Sequence, residues 1–378
     1  MIDTQIKFTT IVQLVPNMQS GGVEQGVIDM NQAIIAHGWR SIVISNGGRL
    51  VQQIEKAGGI HIKLPLHLKN PFSVFMNQRA LSKIYKNYNV SLVHARSRAP
   101  AWAGLKPARK LNIPFVTTIH GAYGAANIFK KLYNQIMLKG DRIIAVSHFI
   151  VEYLHKNYKV DARKVRVIPR GIDAQFLDRN SIPKSQIETL INLWQLPEDK
   201  RIIMLPARLT RAKGHLLLLE AFKKLNDPTL FLLFVGEGKE HYKQEIFQHI
   251  VKLQLENNVK LVGHCADMPA AYFLSEIVVL PVLAPESFGR VAVEAMAMGC
   301  LTIASDIGGT SETILDQETG FLVQHDDIKS LKKCLEHVVL LNKNEIRCIQ
   351  EKAHTHVLMH YTKEMMTSKT IEVYEELL

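Results

Sequence analysis

Glu286 and Glu294 bracket the run Pro285-Glu286-Ser287-Phe288-Gly289-Arg290-Val291-Ala292-Val293-Glu294, which directly follows a strand-like segment, Ile277–Leu280. Residues 290–298 have helical patterning, with Gly299 as a stop. Gly289 lets the backbone approach a ligand closely. The helix that starts there turns free N–H groups toward an anion. Glu286 lies in the loop and Glu294 two turns into the helix, so the two are no tight acid/base pair on one helical face. They suit different parts of one elongated ligand. Carboxylates facing hydroxyls are how a protein holds sugar, each charge-assisted bond contributing roughly 1.5–3 kcal/mol. Arg290 stands in the first turn, where a cation opposes the macrodipole. That placement makes sense beside a phosphate, and equal sense for a side chain extended into solvent.

A second constellation is Pro206-Ala207-Arg208-Leu209-Thr210-Arg211-Ala212-Lys213-Gly214, again past a strand-like run. Arg208 and Lys213 are two cations able to clamp a diphosphate; the bland alternative is a basic surface loop. In the first half, Gly21 and Gly22 follow strand one and precede a helix, where their amides can reach an anion or form a plain turn. The spacing G-x-G-x-x-G does not occur there, which disfavours NAD. His120-Gly121 closes the run Phe115–Ile119, and Arg96 and Arg98 end another strand, facing an anion or solvent. No Asp-x-Asp pair offers carboxylates to a metal-bound diphosphate.

The elements that must position these residues alternate between strand and helix. Strand-like runs fall at 8–15, 41–45, 91–95, 115–119, 143–146 and 165–168, then at 202–206, 230–235, 259–262, 277–280, 302–304 and 321–323. They are β-branched and apolar on both faces, the pattern of parallel sheets covered on both sides. The expected fold is α/β: two Rossmann-like, doubly wound domains facing a central cleft, with ligands beyond the strands' carboxyl ends. The expected domains are residues 1–178 and 179–357, with a C-terminal helix at about 358–378 returning to the first. The polar stretch 173–200 reads as the linker.

The 378 residues, 47% of them hydrophobic, are enough for two buried cores. No run approaches the ~20 apolar residues of a membrane span, and the start has no secretory pattern. The four cysteines have no zinc spacing. These three features lead to the expectation of a cytoplasmic protein. The net charge of +11 is uneven: residues 1–180 hold 25 Lys+Arg against 9 Asp+Glu. Such a half attracts anionic partners, or is simply a lysine-rich soluble surface.

Glu286 through Glu294, with Ser-Phe-Gly before the helix and Ala-Met-Ala-Met-Gly at its end, resembles the E-x7-E signature of the retaining GT-B glycosyltransferases of family four (glycosyl transferases group 1). The resemblance runs along essentially the full chain. It implies that Glu286 contacts the donor sugar, that Glu294 contacts the ribose, and that Phe288, Gly289, Arg290 and Val291 line the donor. Arg208 and Lys213 would bind the pyrophosphate, with Ala207 standing where the family usually has Gly. Gly21 and Gly22 would approach the donor phosphate and the acceptor. His120 would contact the transferred sugar or support the reaction centre. The implied activity is metal-independent, cofactor-free hexosyl transfer with retention. The donor would be a nucleotide-diphosphate sugar and the acceptor an envelope glycan or glycolipid, as in lipopolysaccharide synthesis. Peripheral contact with an anionic membrane, at the inner face of the plasma membrane, is expected through Lys83, Lys86, Lys106, Arg109, Lys110, Lys130 and Lys131. No nucleic acid partner is expected. A nucleotide-sugar epimerase of the same architecture and a non-catalytic nucleotide- or nucleic-acid-binding module are the competing readings.

Overall fold

The computed structural model describes residues 8–19, 21–124 and 127–378. The chain divides into two compact units, Met1–Gly171 with Lys363–Leu378, and Ile172–Thr362. The first crossing thus comes at Gly171 rather than 178, and the return at Thr362 rather than 357. The polar stretch after Asp173 is no free linker. It contains the helix Lys184–Trp194, which buries Leu190 and Trp194 and packs on the helix Met268–Leu274 of the second unit. Apolar burial on one face of that helix outweighs its polar composition.

The first unit is built on seven parallel strands: β1 (Thr10–Leu14), β2 (Arg40–Ser45), β3 (Ile60–Lys63), β4 (Leu92–Ala95), β5 (Phe115–Ile119), β6 (Arg142–Ala145) and β7 (Val165–Val167). Their order is β3-β2-β1-β4-β5-β6-β7. β3 has no counterpart in the sequence reading. It is an edge strand, Ile-His-Ile-Lys, only partly buried along its length, so it lacks the continuous apolar run of a central parallel strand. The C-terminal helix Lys363–Glu375 gives Ile371, Val373 and Tyr374 to the core around Ile11, Leu92 and Val116.

The second unit holds six parallel strands: β8 (Arg201–Pro206), β9 (Leu230–Val235), β10 (Val259–Leu261), β11 (Ile277–Leu280), β12 (Leu301–Ser305) and β13 (Phe321–Val323). Their order is β10-β9-β8-β11-β12-β13. Leu205, Phe234, Ile246, Val279 and Ile303 lie in its core. In each sheet the order reverses beside the first strand, between β1 and β4 and between β8 and β11. Such a switch point opens a crevice beyond the strands' carboxyl ends, because the two connections leave in opposite directions. Among the described residues no helix is long and apolar enough to cross a membrane.

Candidate active site

The loops after β8 and β11, on either side of the second switch point, carry both charged constellations. After β8 the pairing continues irregularly: Leu209 N donates to Glu237 O at 2.8 Å, and Gly236 N to Gly263 O at 2.7 Å. A side chain on Gly236 would come within 2.1 Å of Ala207 O, so the loops after β8 and β9 touch only because glycine stands there. One 3-10 turn, Arg211–Lys213, follows. Gly214, at φ +74°, brings the backbone against Pro281, and Leu283 N donates to Ala212 O at 2.9 Å. Lys213 is thereby delivered to the loop after β11, where its ammonium touches Glu286 Oε1. Burial, then the neighbouring Arg208, hold the Lys213 ammonium below its usual range even with that carboxylate in contact. Arg208 itself is exposed.

Glu286 is fixed from its other side by residues that the sequence reading missed. Gly309 N donates to Glu286 O at 2.7 Å, and Thr310 Oγ1 lies 3.5 Å from Glu286 Oε2. A Cβ on Gly309 would sit 2.4 Å from Ser287 O, and one on Gly289 2.7 Å from Thr310 Cα. The two loops interleave only because both positions lack side chains. A Gly-Gly pair just after a strand was the available signal. Gly289, at φ +86°, opens the helix Arg290–Ala297, whose first turn has no side-chain cap. Phe288 is buried, with Tyr361 edge-on at 5.7 Å, and Val291 is half-buried in the first turn.

Arg290 is partly exposed and is paired within its own helix. Its Nε donates to Glu294 Oε1 at 2.7 Å, one turn along the same helix. Tyr272 donates to Glu294 Oε2 at 3.0 Å, so both carboxylate oxygens are engaged. Burial, then Glu294, push the Tyr272 phenol well above its ordinary range, which keeps it a donor. Among the described residues no group of three or more His, Cys, Asp or Glu side chains is placed to hold a metal ion.

The remaining expected residues belong to the first unit. Gly21, at φ +130°, caps the helix Gly22–Ala36, and Glu24 Oε2 lies 2.8 Å from where a Gly21 side chain would start. A carboxylate therefore already stands at that helix start. Ser20 lies outside the described residues. His120 follows β5, and both its ring nitrogens are buried without a hydrogen-bond partner among the described residues. Burial, Arg170 and Arg96 hold its imidazole well below the ordinary histidine range, so it is neutral. Arg96 is buried rather than solvent-facing, its Nε donating to Gln13 Oε1 at 3.0 Å. Arg98 donates to Asn134 Oδ1 at 2.8 Å and lies over the Tyr123 ring.

Residues 20–176 match the family model described as Glycosyltransferase Family 4, and residues 186–355 the one described as Glycosyl transferases group 1. The crystal structure of a glycosyltransferase from Rickettsia africae ESF-5 is 36% identical, covers 98% of each chain and has a TM-score of 0.90. The Anabaena protein Alr3699/HepE, solved with UDP and glucose, shares the fold at 20% identity and a TM-score of 0.84 over 98% of this chain and 100% of that one. The lipopolysaccharide 1,2-N-acetylglucosaminetransferase of Salmonella typhimurium is 31% identical over 189 residues, 48% of each chain. Two parallel-sheet units, charged loops at a switch point and these matches along the chain lead to one conclusion: it belongs to the GT-B glycosyltransferases that join a Family 4 half to a group 1 half.

Proposed function

We propose that this glycosyltransferase moves a hexosyl group, with retention and without a divalent ion, from a nucleotide-diphosphate sugar to an anionic glycolipid of lipopolysaccharide type. The observation that carries the reading is the contact of Lys213 with Glu286, beside Arg208 and at the uncapped start of the helix Arg290–Ala297. A diphosphate would take over the Lys213 ammonium, with Arg208 and the helix amides sharing its charge. Glu286, released from Lys213, would accept a hydrogen bond from a sugar hydroxyl. The Tyr272–Glu294–Arg290 set would present a fixed carboxylate to the ribose. The bond from the anomeric carbon to the phosphate oxygen breaks as that to the acceptor oxygen forms on the same face. The acceptor's proton passes to the departing phosphate oxygen. Preorganised cations at that oxygen supply roughly 3–4 kcal/mol each of barrier lowering, by analogy with oxyanion holes. In the first unit, His120, neutral and with ring nitrogens that no described residue engages, would donate to or accept from a ligand hydroxyl.

Alr3699/HepE was solved in complex with UDP-glucose, and the Salmonella relative is named for lipopolysaccharide transfer; both support the donor and acceptor classes. The test is incubation with a panel of nucleotide sugars and a lipopolysaccharide-core acceptor, with the anomeric product followed by NMR. Glu286→Ala should abolish transfer and leave nucleotide binding measurable; Arg208→Ala should weaken nucleotide-diphosphate binding. An inverted product, or epimerised nucleotide sugar formed without acceptor, overturns the reading.

A further inference from the structure

Tyr272 and Glu294 bond to each other across two helices, Met268–Leu274 and Arg290–Ala297, and one further residue ties the same two helices at their carbonyl ends. Arg179 stands half-buried in the 3-10 turn Arg179–Ser181. It donates from Nη1 to Met298 O at 3.0 Å and from Nη2 to Phe273 O at 3.1 Å. Its guanidinium also lies over the Phe273 ring, 4.6 Å from the centroid. Met298 is one turn beyond Glu294, and its N–H donates to Glu294 O at 3.1 Å. Phe273 is the neighbour of Tyr272 in the chain. One planar fork therefore spans the two backbones that carry the bonded side chains.

A helix end leaves its last carbonyls without intrahelical donors. Here side chains supply them. Ala297 O accepts from His354 Nδ1 at 3.1 Å, Met298 O from Arg179, and Gly299 O from Gln350 Nε2 at 2.7 Å. His354 and Gln350 come from the helix Lys343–His360, and each engages a single carbonyl at the end of the helix that carries Glu294. Arg179 reaches both helices, and its charge faces the negative ends of two helix dipoles at once. The Cys300 thiol, a weak donor, adds a bond to Tyr272 O at 3.2 Å. Because Arg179 spends both terminal nitrogens on backbone, it acts through where the two helices stand.

We propose that Arg179 is a positioning residue for ribose recognition. By fixing the spacing of the two helix ends, it holds the Tyr272–Glu294 bond, and with it the Glu294 carboxylate, where the nucleotide's ribose hydroxyls arrive. The inference rests on the assignment of Glu294 to the ribose. The test is titration calorimetry of the full chain with whichever of UDP, GDP and ADP binds most tightly, and with the 2′,3′-dideoxy form of that nucleotide. The wild-type chain should prefer the ribose form by about 10- to 150-fold, the value of a charge-assisted bond. Arg179→Met should cut the preference to about threefold or less, since a displacement of about 1 Å undoes a positioned contact. Binding of the dideoxy form, held by Arg208 and Lys213, should persist and report intact folding. Arg179→Lys keeps the charge but grips one carbonyl at a time, so its preference should fall between the two. Tyr272→Phe should also lower the preference. Its double variant with Arg179→Met should be no worse than the poorer single one, because both act through one geometry. An unchanged preference in both Arg179 variants, equal weakening of both nucleotide forms, or losses that multiply in the double variant would each make Arg179 a plain anchor and overturn the proposal. A wild-type chain with no preference, or a preference that survives Glu294→Gln, would instead remove Glu294 from the ribose and this inference with it.

Discussion

Glu286→Gln should change nucleotide binding and sugar transfer in opposite directions. The Lys213 and Glu286 side chains retain 22% and 23% exposure, and each is the other's charge partner in the ligand-free chain. An arriving diphosphate must compete with the carboxylate for the ammonium and also meets its negative charge. A unit charge ~7 Å away at an effective dielectric of ~20–40 contributes roughly 1–2 kcal/mol. Removing it should therefore tighten nucleotide-diphosphate binding about 5- to 30-fold. The same change removes a charge-assisted bond to the sugar, roughly 1.5–3 kcal/mol, so transfer should fall about 10- to 150-fold. Lys213→Met should instead weaken nucleotide binding, by about 10- to 150-fold. Titration calorimetry with UDP, GDP and ADP, and single-turnover transfer with the matching sugar, separate the two readouts. If Glu286→Gln weakened nucleotide binding as much as Lys213→Met does, the ion pair would be a scaffold and the phosphate would bind elsewhere.

Gly214→Ala should cost roughly 2–4 kcal/mol, since its Cβ would stand 1.8 Å from Pro281 O at a φ of +74°. A thermal melt should drop by several degrees and nucleotide binding should fall with it; an unchanged melt would show that the loop shifts freely. His215 is fully buried, and burial holds it at about 4. The unfolded chain, at an ordinary ~6.5, takes up this proton first on acidification. Its contribution to stability is complete above pH ~6.5 and is lost as pH falls toward 4, about 2 kcal/mol between pH 7.5 and 5. His215→Phe should shrink the acid-induced loss of urea stability by that amount, and an identical loss would show that His215 does not titrate on unfolding.

Most of the architecture could be read from the chain alone. Central parallel strands are buried on both faces, so β5, β9 and β11 appear in the sequence with the ends they have in the structure. β3 escaped because an edge strand with one wet face carries a weaker apolar signal. The position of Arg208, Lys213, Gly289 and Glu294 past strand ends was legible too, because loop chemistry follows the strand that delivers it. What each charge touches was not. Sequence spacing could not show that Arg290 is neutralised by Glu294, that Lys213 rests on Glu286, or that Gly309 and Thr310 hold Glu286 from behind. Strand order alone brings the loops after β8, β11 and β12 together, and strand order is set by packing the whole sheet. The sequence determined which groups are present at the strand ends; the fold decided which of them are neighbours, because contact and burial depend on distances that no linear spacing contains.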